Sequence, residues 1–267
     1  MSKHVVFDRG THSDVDEIKR FTSNTWRVGY YNDLYRTIGN TGTMEDYVDK
    51  IIEKWVEEGS VYVLRVDGSP VATIHFDKLS DGSIMLGGLR VDPEHRGAKY
   101  GLRIMQETMD FLRDKAKRLR SAVYSWNTPS LNLVKKLGFH PIDEYEVYTF
   151  ENREGTNINI VPSIAEYSGR YRCVLVDWKY ICSEHMYHIY ESYRNNFIVD
   201  SANLIYFDSY EGGIDFVIND SDDVASFIDE NRKLNGRIMF YVRKDISKDL
   251  PFTPSSSMLI WEFTYDS

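Results

Sequence analysis

The stretch Leu89-Arg90-Val91-Asp92-Pro93-Glu94-His95-Arg96-Gly97-Ala98-Lys99-Tyr100-Gly101-Leu102 constrains this chain more than any other. An apolar run, Ile84–Val91, reads as a strand and closes at Pro93, which has no N–H to give to a ladder. A short glycine-bearing loop follows. Leu102, Met105, Met109, Leu112, Ala116 and Leu119 then recur at steps of three and four, with Arg103, Glu107, Asp110, Arg113, Asp114 and Lys117 on the other faces. The spacing predicts a strand, a tight loop and a long helix. Such a junction aims several backbone N–H groups and the positive end of a helix at one point, an anion site suited to a pyrophosphate. Gly97 and Gly101 let backbone come close to phosphates, and Arg96 can add a charge-assisted contact. Taken alone, the same loop also fits a strand–helix turn that needs glycine only for packing.

The flanking segments have an order of their own. Val5–Phe7 suggests a strand. Ser13 or Asp14 can cap a helix carrying Val15, Ile18 and Phe21. Residues 26–35 are an aromatic-rich connection or a broken helix. Thr43 is placed to cap a second helix, with Tyr47, Val48, Ile51, Ile52 and Trp55 as its buried stripe and Gly59 at its end. Val61–Val66 and Val71–Phe76 flank Asp67-Gly68, a strong hairpin signal. Beyond the long helix, Ala122–Trp126 reads as a strand. Pro129 suits the first turn of a helix that stops at Gly138, and Glu144–Phe150 closes the series.

This order, with these residues, resembles the GNAT acetyltransferase superfamily over residues 4–150. The resemblance implies an α/β (α+β) fold with a mixed, mostly antiparallel central sheet flanked by helices, and acetyl-CoA as cosubstrate. It places Arg96, Gly97, Ala98, Lys99, Tyr100 and Gly101 in the family's phosphate loop. It puts Leu89 and Val91 on a fourth strand whose backbone pairs with the pantetheine arm. Asn127, Ser130 and Leu133, followed by Lys136-Leu137-Gly138-Phe139, match the second cofactor motif. Three positions depart from the family pattern. Lys99 stands where a middle glycine is preferred, and is accommodated if its φ is negative. Its ammonium can reach a phosphate or stay in solvent. Val134 stands where many relatives carry the tyrosine that protonates the leaving thiolate. The fourth strand, Ile84-Met85-Leu86-Gly87-Gly88-Leu89, lacks the acidic residue that often serves as base.

Acetyl transfer to an amine needs a proton acceptor within reach and a donor for the developing oxyanion. By the resemblance, the donor is backbone N–H near Val91. His75 and Asp77, two apart on one strand face, are the candidate bases, and Tyr124 is the candidate acid. Each also reads as an ordinary structural side chain of a sheet. Positioning with solvent proton transfer is a further route. The resemblance puts the substrate wall between the first two helices, at Trp26, Tyr30, Tyr31, Asn32 and Asp33, whose rings and carboxylate suit a cationic or amphipathic amine. The same residues fit a helix burying Trp26, Tyr30 and Leu34.

The chain's 267 residues allow two domains. The polar run 151–160 divides it into 1–152, the acetyltransferase unit, and 160–267, a smaller α/β domain that reads as a degenerate second unit, a substrate cover or a dimer surface. In the latter, Cys173–Trp178, Leu204–Asp208, Ile214–Ile218, Ile238–Val242 and Met258–Thr264 read as strands, and 183–193 and 221–232 as helices. This organisation also resembles, more loosely, proteins related to histidine acetyltransferases. Asp220-Ser221-Asp222-Asp223 fits a helix cap better than a metal site, and no metal is expected. Cys173 and Cys182 are expected as reduced thiols of a cytoplasmic protein. A net charge of −9 argues against nucleic acid, and no apolar run is long enough for a membrane span. The expected partner is a small-molecule or amino-acid amine, with a homodimer possible in principle. A non-catalytic acyl-CoA-binding sensor on the same fold is the alternative.

Overall fold

The computed structural model describes residues 3–25, 46–79, 81–156, 173–176, 178–182, 197–200, 203–207, 213–219 and 223–266. The first half runs β1 (Val5–Arg9), α1 (Val15–Thr22), α2 (Tyr47–Glu57), β2 (Val61–Val66), β3 (Ser69–Lys78), β4 (Ile84–Val91), α3 (Tyr100–Leu112), β5 (Arg118–Tyr124), α4 (Thr128–Lys136) and β6 (His140–Asn152). The second runs β7 (Cys173–Val176), β8 (Lys179–Cys182), β9 (Phe197–Asp200), β10 (Asn203–Phe207), β11 (Ile214–Ile218), α5 (Val224–Asn231), β12 (Gly236–Arg243) and β13 (Ser256–Thr264).

Eleven strands form one sheet in the order β1-β2-β3-β4-β5-β13-β6-β12-β11-β10-β9, and β7 and β8 form a separate hairpin. The order repeats about its centre. β2, β3 and β4 are antiparallel neighbours and β4 is parallel to β5; β9, β10 and β11 are antiparallel neighbours and β11 is parallel to β12. Each half gives its last strand to the other. β13 lies antiparallel against β5, from Met258↔Tyr124 to Thr264↔Arg118, and β6 lies antiparallel against β12. The sheet is therefore continuous across the polar run at 151–160, and β13 buries Ile260 and Trp261 between strands of the first half.

Alternation along the strands gives the sheet two dressed faces. On one, Leu64, Ile74, Leu86 and Val123 pack against Ile104, Met105 and Leu112 of α3 and Val134 of α4. On the other, Val61 and Val63 pack under Ile18, Phe21, Ile52 and Trp55 of α1 and α2. Met85, Tyr145, Met239, Tyr241 and Met258 pack under Leu175 and Ile181 of the β7–β8 hairpin. Phe216, Ile238 and Phe240 face the opposite way and meet Ile228 of α5.

Several sequence expectations change here. The long helix ends at Leu112, and β5 begins at Arg118 rather than Ala122. Ala116 and Leu119 still join the α3 core, so burial kept their spacing helical after the helix had stopped. The N-cap of α2 is Asp46, whose carboxylate accepts the Val48 N–H at 3.1 Å; Thr43 lies outside the described residues. The thiols are not reduced: Cys173 and Cys182 are register partners in the hairpin and are disulfide-bonded. The stretch expected as one strand to Trp178 turns instead at its end, and Lys179–Cys182 returns as β8. The helix expected over 183–193 lies outside the described residues.

Candidate active site

The parallel pair β4–β5 is joined only at Ile84↔Leu119, Met85↔Arg120 and Leu86↔Ser121. Beyond Leu86 the two strands part, and among the described strands β4 from Gly87 to Val91 keeps only β3 as neighbour. The Asp92 N–H donates to the Val71 carbonyl at 2.9 Å. By the period-two alternation of a strand, the Leu89 and Val91 N–H groups then point away from β3, into the opening. A β-bulge interrupts the register within this stretch: β4 has one extra residue between the pairs Thr73↔Arg90 and His75↔Gly87. Gly88 takes φ +58° there, and a Cβ on it would stand 2.9 Å from Trp55. Gly87, by contrast, has open space among the described residues where a side chain would project.

The opening leads to the 92–99 loop. Asp92 is buried and caps a short 3-10 turn over Pro93–His95 through the Glu94 N–H, 3.0 Å. Burial would raise its carboxyl, but that N–H and Arg20 at 2.6 Å hold it below the usual carboxylate range. Arg96 reaches the Thr25 carbonyl at 3.0 Å, so the end of α1 braces the loop at two points. Gly97 takes φ +82° with nothing near its missing side chain. The first bond of α3 runs from the Arg103 N–H to the Lys99 carbonyl, 3.0 Å. The N–H groups of Tyr100, Gly101 and Leu102 thus precede the ladder. A concave surface lined by Ala98, Lys99, Leu102, Arg103 and Gln106 lies beside them.

At the closed end of the opening, His75 is the register partner of Gly87 and Asp77 that of Met85. His75 is 5% exposed, and its ring stacks on Trp55 with centroids 3.8 Å apart. Burial lowers its pKa to about 4, against a small opposing pull from Asp77. Nε2 has no hydrogen-bond partner among the described residues, and the Asp77 carboxylate lies 3.5 Å away. A buried nitrogen left unpaired costs free energy and calls for an explanation such as a ligand or a proton-transfer role. Asp77 is held in turn by Lys179 of β8 at 3.0 Å. Around this group Tyr47 meets Trp55 edge-on and stacks with Trp178; Trp178 meets Tyr124 edge-on, with centroids 5.1 Å apart. The Tyr124 hydroxyl is 3.2 Å from that of Tyr241 on β12.

The structure brings together most of the residues singled out by sequence. Leu89, Val91, Arg96, Gly97, Ala98, Lys99, Tyr100 and Gly101 surround the opening and its mouth. Tyr100 does so by its backbone only, because its ring is buried in the α3 core. Lys99 has φ +63°, not a negative value, and forms the left-handed N-cap position of α3. Asn127 caps α4 by accepting the Ser130 N–H at 3.3 Å, so both residues have a structural task at the second motif. Val134 is buried in the core. Trp26, Tyr30 and Tyr31 lie outside the described residues. Sequence reasoning missed Gly88, Trp55 and the whole contribution of Trp178, Lys179 and Tyr241; paired glycines mid-strand were the available signal for the bulge.

A strand pair that parts beside a glycine loop and a helix N-terminus offers backbone donors to an extended anionic ligand. The model of the acetyltransferase (GNAT) family matches residues 27–139. A crystal structure from Thermoplasma acidophilum, of a protein assigned as an acetyltransferase, is 60% identical, covers 97% of this chain and 100% of that one, and superimposes with a TM-score of 0.85. The chain belongs to the GNAT acetyltransferase family and is an acyltransferase. At the level of fold alone it is similar to a protein of Pyrococcus horikoshii assigned as an acetyltransferase (13% identity, TM-score 0.57, 98% of this chain and 90% of that one). It is likewise similar to a GCN5-related N-acetyltransferase of Sphaerobacter thermophilus (11%, 0.54, 97% and 95%). Among curated proteins none is similar enough to match. Among the described residues no helix is long and apolar enough to cross a membrane, and no cluster of His, Cys, Asp or Glu could hold a metal ion.

Proposed function

We propose that this enzyme moves the acetyl group of acetyl-CoA to a primary amine of a small molecule or amino acid by direct attack. The observation that carries the reading is the parting of β4 and β5 after Leu86, which leaves strand-edge N–H groups facing an opening with His75 at its inner end. The residues fit the cosubstrate. Leu89 and Val91 offer N–H groups to the amide-bearing arm; Gly97, Ala98, Lys99 and the first turn of α3 offer N–H groups to the pyrophosphate. Acetyl-CoA supplies a thioester carbonyl open to a neutral amine.

The remaining chemistry belongs to the chain. Backbone N–H groups near the Gly88 bulge stabilise the developing oxyanion. His75 accepts the proton at Nε2 as the C–N bond forms, when the attacking nitrogen becomes acidic. Its low pKa keeps it unprotonated near neutrality, and Asp77 stabilises the imidazolium. Tyr124, hydrogen-bonded to Tyr241, is the available donor to the leaving thiolate in place of Val134. Open space above Gly87 and the rings of Tyr47, Trp55 and Trp178 suit an amine with an apolar body. Thiol release from acetyl-CoA against a panel of primary amines tests this. Gly87→Leu should retain binding of free CoA and lose turnover, and His75→Gln should lower turnover with little change in CoA affinity. Full turnover in Gly87→Leu would refute this placement of the acceptor.

A further inference from the structure

His75 and Asp77 are sheet residues of the first half, yet the group that closes their line comes from the second. Lys179 stands at the start of β8, and its Nζ meets Asp77 Oδ2 at 3.0 Å. The other oxygen, Oδ1, faces His75 Nε2 at 3.5 Å, beyond a good hydrogen bond. Lys179 and Asp77 are mostly buried, with 22% and 26% of their side chains exposed, so solvent screens the pair only in part. The hairpin that presents Lys179 is docked firmly. Arg120, 2% exposed, donates to the Tyr180 carbonyl at 3.0 Å while paired with Asp81 and Glu262, each at 2.8 Å. Trp178, immediately before Lys179, sits at φ +68°, a costly conformation for a bulky residue, and its ring is fixed by Tyr124 and Tyr47. A strained backbone residue thus stands beside an ion pair at the closed end of the β4–β5 opening.

We propose that Lys179, from the second half, is a positioning residue for the reaction in the first: it holds the far oxygen of Asp77, so that Asp77 backs His75 without capturing it. This rests on the reading of His75 as proton acceptor. Among the described residues, the neighbours of His75 are Trp55 from α2, Val61 across from it on β2, Gly87 on β4, Asp77 on its own strand and, beyond Asp77, Lys179 from the hairpin. Of these only Asp77 and Lys179 carry charge, and they act in opposite directions on the imidazole. Without the ammonium, Asp77 would close on His75 and hold more of it as imidazolium as the pH falls, and the protonated share has no place for the proton of the acceptor amine.

The test is a titration of the His75 imidazole by NMR in histidine-labelled protein, with His75→Gln used to assign the resonance. Lys179→Met should move the midpoint upward by at least ~1 pH unit, because a favourable partner remains and an unfavourable charge is gone. Lys179→Arg, which keeps the charge, should restore the wild-type midpoint. The acid limb of the rate of thiol release should move with it. Retained binding of free CoA reports that each variant is folded; if Lys179→Met is not, Lys179→Gln serves in its place. An unchanged midpoint in the folded neutral variant would overturn the proposal. Full turnover in His75→Gln would instead remove the base assignment, an outcome separable from the titration.

Discussion

The two halves of the sheet share a strand order and differ at one junction. In the first, β4 and β5 are joined over three residue pairs and then part. In the second, β11 and β12 are joined over five, from Ile214↔Ile238 to Ile218↔Val242, the full length of β11. The connections that leave β4 and β11 differ in the same sense. After β4 comes a loop with Arg96 and Lys99 that feeds a helix of 13 residues. After β11 come Asn219 and an acidic run ending at Asp223, which caps a helix of 8 residues through the Ser226 N–H. The first junction has strand-edge donors outside the β4–β5 ladder and positive charge in the loop that follows; the second has a closed ladder and carboxylates. On the proposed function, the difference between the halves places the chemistry in the opening and not in the fold as such. It supports reading the second half as a unit of the same kind that gave up its cleft and supplies a wall and Lys179 to its neighbour.

The largest effect expected from breaking this comparison comes from the exchanged strands. Removing residues 256–266 uncovers β5 along its length and β6 from His140 to Val147, and takes Ile260 and Trp261 out of the core. Both halves should unfold together, seen as loss of the cooperative thermal transition by circular dichroism. A stable first half would show that the halves are independent. Next in size, Gly88→Val places a β-branched residue at φ +58° with its Cβ 2.9 Å from Trp55. The expected cost is about 3 kcal/mol in urea unfolding, from the left-handed backbone and the overpacking together.

His75 gives a pH dependence that is peculiar to the first half. Folded, it binds its proton near 4; unfolded, near 6.5. Between those values the unfolded chain holds more protons, so stability is whole above about 6.5 and declines as the pH falls toward 4. The decline attributable to this residue is about 3 kcal/mol. His75→Phe, which keeps a ring against Trp55, should flatten the unfolding free energy across this window. Lys99→Gly should stabilise the fold by about 1 kcal/mol, by relieving the left-handed conformation. If its ammonium meets a phosphate, the same change weakens CoA binding, which calorimetry reads separately. Smallest, Asp223→Ala should lower the thermal midpoint slightly through the lost cap and leave CoA affinity unchanged.

Local chemistry made much of this legible beforehand. Asp67-Gly68 joins β2 and β3 as expected, with both residues at positive φ. The residues from Leu89 to Gly101 form the mouth of the opening, because a strand, a glycine loop and a helix start are all short-range features. The long-range features were not visible. Nothing in Ser256–Thr264 says that it pairs with β5 and not with β6 alone, since alternation fixes a face and not a neighbour. His75 could be seen as a candidate, but its burial against Trp55 and the opposing pulls of Asp77 and Lys179 depend on elements far apart in sequence. The positive φ of Lys99 was not legible either, because side-chain type sets only a preference that tertiary contacts can override.

The central claim is that the chain has one cofactor opening, between β4 and β5. Calorimetric titration of the intact protein with acetyl-CoA tests it most directly, read for stoichiometry and repeated with Arg96→Ala. One molecule bound per chain, weakened in the variant, is the predicted result. Two molecules per chain, or binding indifferent to Arg96, would contradict the account.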